Sequence, residues 1–301
     1  MVTRNSEQLS MLRSSRSKMR LGVCSACLPE LTPHQATEAA AAAGYAGIEW
    51  RVAAETGSQG PAHFLRNNRC TLRPRRDDIR HARKLCDRVG LAVVGLSGYV
   101  QVGDLREVEQ LMSLAAEAGA PRIRLWAPPT TDGGFHQALG QAIAFFGEVA
   151  ELAGRFGVQA LLEMHQRTIC PSTALAKQVV KELPPHLVGV IYDPGNAVVE
   201  GSEDPRLALQ ILGEHLAHVH LKNAAFERAE AGGPWRHRWT PMNDGVLDVP
   251  AILSLLESSG YRGWVSVEDF STDRPPHEAL AFNAAYLRGH AAFEPTTGER
   301  A

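Results

Sequence analysis

The stretch from Phe135 to Glu163, FHQALGQAIAFFGEVAELAGRFGVQALLE, decides the fold. Phe135 to Phe156 has the apolar spacing of a long helix, Gly157 ends it, and Val158 to Glu163 is a short apolar strand that closes on a carboxylate. The same texture recurs on both sides. Strand-like runs occur at Leu21–Ser25, Ala46–Trp50, Leu91–Ser97, Arg122–Trp126, Leu187–Asp193, Leu216–Lys222 and Gly263–Asp269. Helical patterns fall between them. Thr32-Pro33 opens the first, with Gln35 placed for a capping box, and it stops at Gly44. Others run from Asp77 to Val89, from Leu105 to Ala118, from Val249 to Ser259 and from Pro276 to Arg288, and shorter ones start at Pro171-Ser172-Thr173 and Asp204-Pro205. Eight strand–helix units in one chain predict an α/β (β/α)8 TIM barrel forming a single domain over residues 20–290. A doubly wound open sheet would carry a Gly-rich phosphate turn after its first strand, and Cys24 to Leu31 offers none.

The chain has 301 residues, 44% of them apolar and 21% charged, with a formal net charge of −2. That balance excludes nucleic acid and membrane surfaces as evident partners. No apolar run is long enough to span a bilayer. A cytoplasmic location is expected. The five cysteines are scattered, so no secreted disulfide framework is expected, and Cys24-Ser25-Ala26-Cys27 reads as small apolar filler. Residues 1–19 are polar, rich in Arg and Ser, and expected to be a disordered leader, with Met19 as an alternative start; 291–301 read as a tail. A long loop, 52–76, follows the second strand.

Barrels of this kind place their chemistry at the C-terminal ends of the strands. Four consecutive strands end there on Glu163, Asp193, His220 and Glu268. In the run His218-Val219-His220-Leu221-Lys222, alternate residues share a face, so His218, His220 and Lys222 point one way. Three carboxylates and an imidazole are a hard, oxygen-rich ligand set. It suits one divalent cation, Mn2+ best, with Mg2+, Co2+ or Zn2+ as alternatives.

At these residues the chain resembles the sugar phosphate isomerase/epimerase superfamily, the xylose-isomerase-like TIM barrels. The resemblance covers about Leu21 to Arg288. It rests on Gly44-Tyr45-Ala46-Gly47-Ile48-Glu49, Leu162-Glu163-Met164-His165, Tyr192-Asp193-Pro194-Gly195-Asn196, the His218–Lys222 run, Asp244-Gly245, and Gly260-Tyr261-Arg262-Gly263 before Val267-Glu268. It implies that Glu163, Asp193, His220 and Glu268 bind one divalent cation, and that the substrate is a small sugar or polyol. Ketose 3-epimerases of the superfamily typically carry a His, a Glu and an Arg where this chain has Asn196, Ile169 and Phe226. Endonuclease-IV-like barrels need further His ligands, and Asn196 replaces one of them.

The reaction expected first is isomerisation or epimerisation through an enediolate, with Glu163 or Glu268 as base. The alternative is a metal-dependent lyase that eliminates from a keto-sugar or keto-cyclitol, resembling inosose dehydratases or 3-keto-glycoside-cleaving enzymes. A metal-stabilised scaffold is the non-catalytic alternative. His165 and Lys222 are further acid/base candidates. Glu49, Arg51, Trp126, Asn196, His218 and Trp239 are candidate substrate contacts. The arginines of the long loop, Arg66, Arg69, Arg73, Arg75 and Arg76, could close over a substrate or meet a second copy of the chain in a homo-oligomer. Pro234-Trp235-Arg236-His237-Arg238-Trp239 reads as a second lid.

Overall fold

The protein is seen as a computed structural model that describes residues 18–54, 61–129 and 133–295. Eight parallel strands close on themselves. They are β1 (Arg20–Cys24), β2 (Gly47–Arg51), β3 (Ala92–Ser97), β4 (Arg122–Trp126), β5 (Gln159–Glu163), β6 (Val188–Tyr192), β7 (Leu216–Leu221) and β10 (Trp264–Val267). Around the barrel the order is β1-β2-β3-β4-β5-β6-β7-β10, so chain neighbours are spatial neighbours. The TIM barrel read from the sequence is the fold observed.

Helices α1 (Pro33–Ala42), α2 (Arg76–Val89), α3 (Leu105–Ala118), α4 (Phe135–Phe156) and α5 (Thr173–Val180) follow the first five strands. After β6 come α6 (Pro194–Glu200) and α7 (Pro205–Leu212), then α8 (Val249–Ser258) and α9 (Pro276–His290). Their ends follow local chemistry. The Thr32 hydroxyl and the Gln35 side chain form the reciprocal capping box at α1. Gly157 ends α4 at φ +64°, a left-handed turn that releases the chain straight into β5. The inner faces of the helices and the outward faces of the strands form one continuous apolar core, with Phe146, Leu162, Val190 and Val219 each wholly buried.

Two elements escape the eight-unit pattern. A two-stranded antiparallel hairpin, β8 (Asn223–Arg228) and β9 (Trp235–Thr240), leaves the end of β7. Asn223 anchors it: its amide donates to the Met242 and Leu247 carbonyls, and its oxygen accepts from Leu247 N. The segment read as a lid is therefore paired strand. Helix α6 begins directly after Asp193, whose Oδ1 caps it by accepting from Asn196 N at 2.9 Å. It lies close on the end of β7, because a Cβ on Gly195 would come within 2.8 Å of the Lys222 carbonyl oxygen.

The expected boundaries need adjustment at both ends. Residues 1–17 of the expected leader lie outside the described residues, but Met19 is buried and bridges Phe293. Ala291 and Phe293, read as tail, are also buried. Among the described residues no helix is long and apolar enough to cross a membrane. Cys24 and Cys27 are free and buried, and burial raises both thiols, which fits filler rather than redox chemistry.

Candidate active site

The register brings the four strand ends to one mouth. Glu163 stands beside Ile191 of β6, and His220 pairs with Ser266 of β10, two residues before Glu268. One donor atom from each of Glu163, Asp193, His220 and Glu268 lies within 4.8 Å of the others, and all four residues are buried. His220 Nδ1 faces Glu163 Oε1 at 3.2 Å and Glu268 Oε2 at 3.5 Å. Three buried carboxylates demand positive charge, and the protein supplies it. The Lys222 ammonium donates to both Asp193 and Glu268. Burial works against the charged lysine, but those two carboxylates outweigh it and raise its pKa. Burial would likewise lower the pKa of His220, yet Glu268 and Glu49 hold it well above the usual imidazole value. A set of hard donors that already draws an ammonium and an imidazolium to itself is chemically fitted to a divalent cation.

Behind His220 lies a second polar group. His220 Nε2 donates to Glu49 Oε2 at 3.0 Å, and His218 Nε2 reaches the same oxygen at 2.9 Å. The Ser97 hydroxyl donates to the other Glu49 oxygen. Burial drives the His218 pKa down to about 4, so it is neutral, and Arg122 lies 3.4 Å from its Nδ1. A register shift between Ile48 and Glu49 in β2 aims the carboxylate at this spot. Glu49 and His218, expected to touch substrate, are thus interior supports of His220 and do not line the cavity. Arg51 does not line it either. It bonds the Tyr99 hydroxyl at 2.9 Å, the Thr71 hydroxyl and the Leu65 carbonyl, and so ties the long loop to the barrel.

The cavity above the four strand ends measures about 370 Å3. Glu163, His165, Asn196, Lys222 and Glu268 line it, as do Trp126 and Trp239. His165 Nδ1 lies 2.7 Å from the Gln166 carbonyl, which must be accepting, so Nε2 carries the free lone pair. Asn196 Nδ2 donates to Asp193 Oδ2 at 2.7 Å and to the Met164 carbonyl, which orients that carboxylate. The long loop contributes His63, Phe64 and Leu65 in place of its arginines. Arg73 pairs with Asp78, Arg76 with Glu117, and Arg69 bonds the Glu30 carbonyl.

Arg124 escaped the sequence reading. It donates to Glu163 Oε2 at 2.8 Å, and the Trp126 indole N–H reaches the same oxygen at 2.5 Å. Burial favours the neutral acid, but Arg124 and His220 outweigh it and hold Glu163 well below the usual carboxylate range. The signal was present in Arg122-Ile123-Arg124-Leu125-Trp126, where the two arginines and the tryptophan alternate onto one face.

Residues 37–290 match the family described as the xylose isomerase-like TIM barrel. The chain belongs to that family. Among curated relatives, it is 32% identical over 166 residues to an inosose dehydratase of Erwinia tasmaniensis, a match covering 49% of this chain and 54% of that protein. It is 27% identical over 152 residues to the rhizopine catabolism protein MocC of Rhizobium meliloti, covering 48% of this chain and 45% of that protein. The chain therefore aligns with about half the length of these relatives. Among solved structures, the 3-keto-D-glucoside 4-epimerase YcjR of E. coli superposes with a TM-score of 0.69 at 19% identity, over 90% of this chain and 100% of that one. IolI, solved with a zinc atom, gives a TM-score of 0.68 at 16% identity over 90% of this chain and 99% of that one. These structural likenesses carry the fold.

Proposed function

We propose that this protein is a divalent-metal-dependent lyase that eliminates a β-substituent from a cyclic keto-polyol. The observation that carries this reading is the fate of Glu163 Oε2. Epimerisation takes a proton from one face of a carbon and returns one to the other, so it needs a proton acceptor on each face. Glu163 would be one of the pair, but its outer oxygen is engaged by Arg124 and Trp126. Elimination needs one base and one donor, and the cavity offers both. The curated relatives named inosose dehydratase support the same choice.

Glu163, Asp193, His220 through Nδ1, and Glu268 would hold the cation. The chemistry it supplies when bound is polarisation of a ketone and its neighbouring hydroxyl. His165 Nε2 accepts the proton from the carbon next to the ketone. A double bond forms between that carbon and the next, and the carbon–oxygen bond at the far carbon breaks. Lys222 has three N–H donors and spends two on Asp193 and Glu268. Lys222 lines the cavity, so the third is the one to give its proton to the departing oxygen, and solvent carries the proton from His165 back to the lysine. His165 follows β5 and Lys222 follows β7, with only β6 between them in the barrel, so base and donor stand on one arc of the mouth and serve neighbouring carbons of the ring.

The test is appearance of the conjugated enone in the ultraviolet when Mn2+-loaded protein meets a keto-cyclitol. His165→Ala should lower turnover by about 10²–10⁴ while metal content stays at the wild-type level. Full turnover in that variant would remove His165 from the mechanism.

A further inference from the structure

The cavity has two chemical halves. Its floor is polar, and its rim is aromatic. On one side of the rim, Phe64 from the long loop packs edge-on to Phe270 at 5.1 Å between centroids, and Phe270 lies 6.1 Å from Trp239 of the hairpin. Across the cavity, Tyr99 and Trp126 form a second edge-on pair at 5.1 Å. All five rings line the cavity and are only partly buried by the protein, so apolar faces are left toward whatever enters. Lys222 Nζ marks the boundary between the halves: it lies 5.5 Å from the Phe270 centroid and 5.8 Å from that of Trp239, while bonded to floor carboxylates. A bare polyol ring has hydroxyls around its whole edge and matches only the floor. The volume of about 370 Å3 falls within the ~300–1,000 Å3 of sites that take larger organic ligands.

We propose that the substrate is a keto-glycoside with an aromatic aglycone, its sugar on the floor and its aglycone against Phe64, Trp239 and Phe270. This deepens the elimination reading and rests on it. For the aglycone oxygen on the anomeric carbon to be β to the ketone, the ketone must be at the 3-position of the sugar. The base takes the proton from the 2-position, a double bond forms between carbons 1 and 2, and the bond from carbon 1 to the aglycone oxygen breaks. The products are an unsaturated keto-sugar and a free phenol, with no oxidant or reductant consumed. The leaving group suits the site. A phenol ionises near pH ~10, as tyrosine does, against ~15.7 for water, so its departure needs less proton transfer at the transition state.

The experiment compares phenyl and methyl 3-keto-glucosides and a free keto-cyclitol on the Mn2+-loaded protein, following enone formation and phenol release. We expect the phenyl compound to be preferred over the methyl compound in kcat/KM, with phenol and enone formed one to one. Phe270→Ala and Phe64→Ala should each shrink the phenyl-over-methyl ratio by about threefold to tenfold, the scale of one lost aromatic contact, mainly through KM. Phe270→Leu, which keeps the volume and removes the ring, should shrink it in the same direction. A ratio of one or below in wild type, or a ratio that the rim variants leave unchanged, overturns the aromatic aglycone while elimination from the methyl compound or the cyclitol leaves the lyase reading standing. No elimination from any of the three overturns both.

Discussion

Replacing Glu49 tests how the barrel interior prepares the metal centre. Its carboxylate is 3% exposed and accepts from His220 Nε2 at 3.0 Å, from His218 Nε2 at 2.9 Å and from the Ser97 hydroxyl. The first contact fixes which nitrogen of His220 is free: with Nε2–H committed to Glu49, Nδ1 faces Glu163 and Glu268. Carboxylate partners of ligating histidines are worth about 10–100-fold in metal affinity, or roughly 1.4–2.8 kcal/mol. Glu49→Gln keeps an acceptor oxygen at that place but loses the charge, so Mn2+ affinity should fall by that factor. Glu49→Ala leaves two imidazoles and a hydroxyl without an acceptor. Each orphaned group costs ~1–3 kcal/mol, so this variant should also lose several kcal/mol of stability. Competition with a chelating dye reads the first quantity, and urea unfolding of the metal-free protein reads the second. Wild-type Mn2+ affinity in Glu49→Gln would refute the claim that Glu49 orients His220.

Two further outcomes follow from the charges at the mouth. Because Glu268 and Glu49 raise the His220 pKa well above 6.5, its contribution to the stability of chelator-treated protein is complete below about pH 6.5 and is lost as pH rises through the raised value. Melting temperature without metal should therefore fall from pH 6.5 towards 9, and added Mn2+, which replaces the proton, should flatten that slope; a flat profile in the chelator would contradict the imidazolium. Lys222→Met removes the cation that Asp193 and Glu268 already hold, so Mn2+ should bind at least as tightly while turnover drops by about 10²–10⁴, and weakened Mn2+ binding would show the lysine to be a support of the metal site instead.

The barrel and the four strand ends were legible because both rest on local periodicity. Helix–Gly–strand punctuation counts the units, and a strand's last residue falls at the mouth whatever the packing around it. Side-chain direction inside the barrel was less legible. Glu49 lies on β2 and His218 on β7, yet both sit one layer below the site, and depth depends on the shear and on the register shift at Ile48/Glu49. Arg124 was missed although its alternation with Arg122 and Trp126 is plain. What gives it meaning is that Leu161 pairs with it and Glu163 with Trp126, a register between neighbouring strands that the alternation within one strand does not reveal. The loop arginines misled for the opposite reason. They look functional as a cluster, but acidic partners on α2 and α3 absorb Arg73 and Arg76, and the short run His63–Leu65 reaches the cavity instead. The hairpin looked like a lid by composition. Strict pairing from Asn223↔Thr240 to Arg228↔Trp235 makes it a ribbon that delivers Trp239 alone to the cavity.

The most direct measurement is the fate of the α-proton. Mn2+-loaded protein is incubated in D2O with keto-cyclitols and 3-keto-glucosides, and the mixture is followed by proton NMR and mass spectrometry. Elimination predicts an unsaturated ketone and one equivalent of released water or alcohol, absent when EDTA removes the metal. Recovery of an epimer carrying solvent deuterium, with no group lost, would contradict the account and return both carboxylates, Glu163 and Glu268, to the role of paired bases.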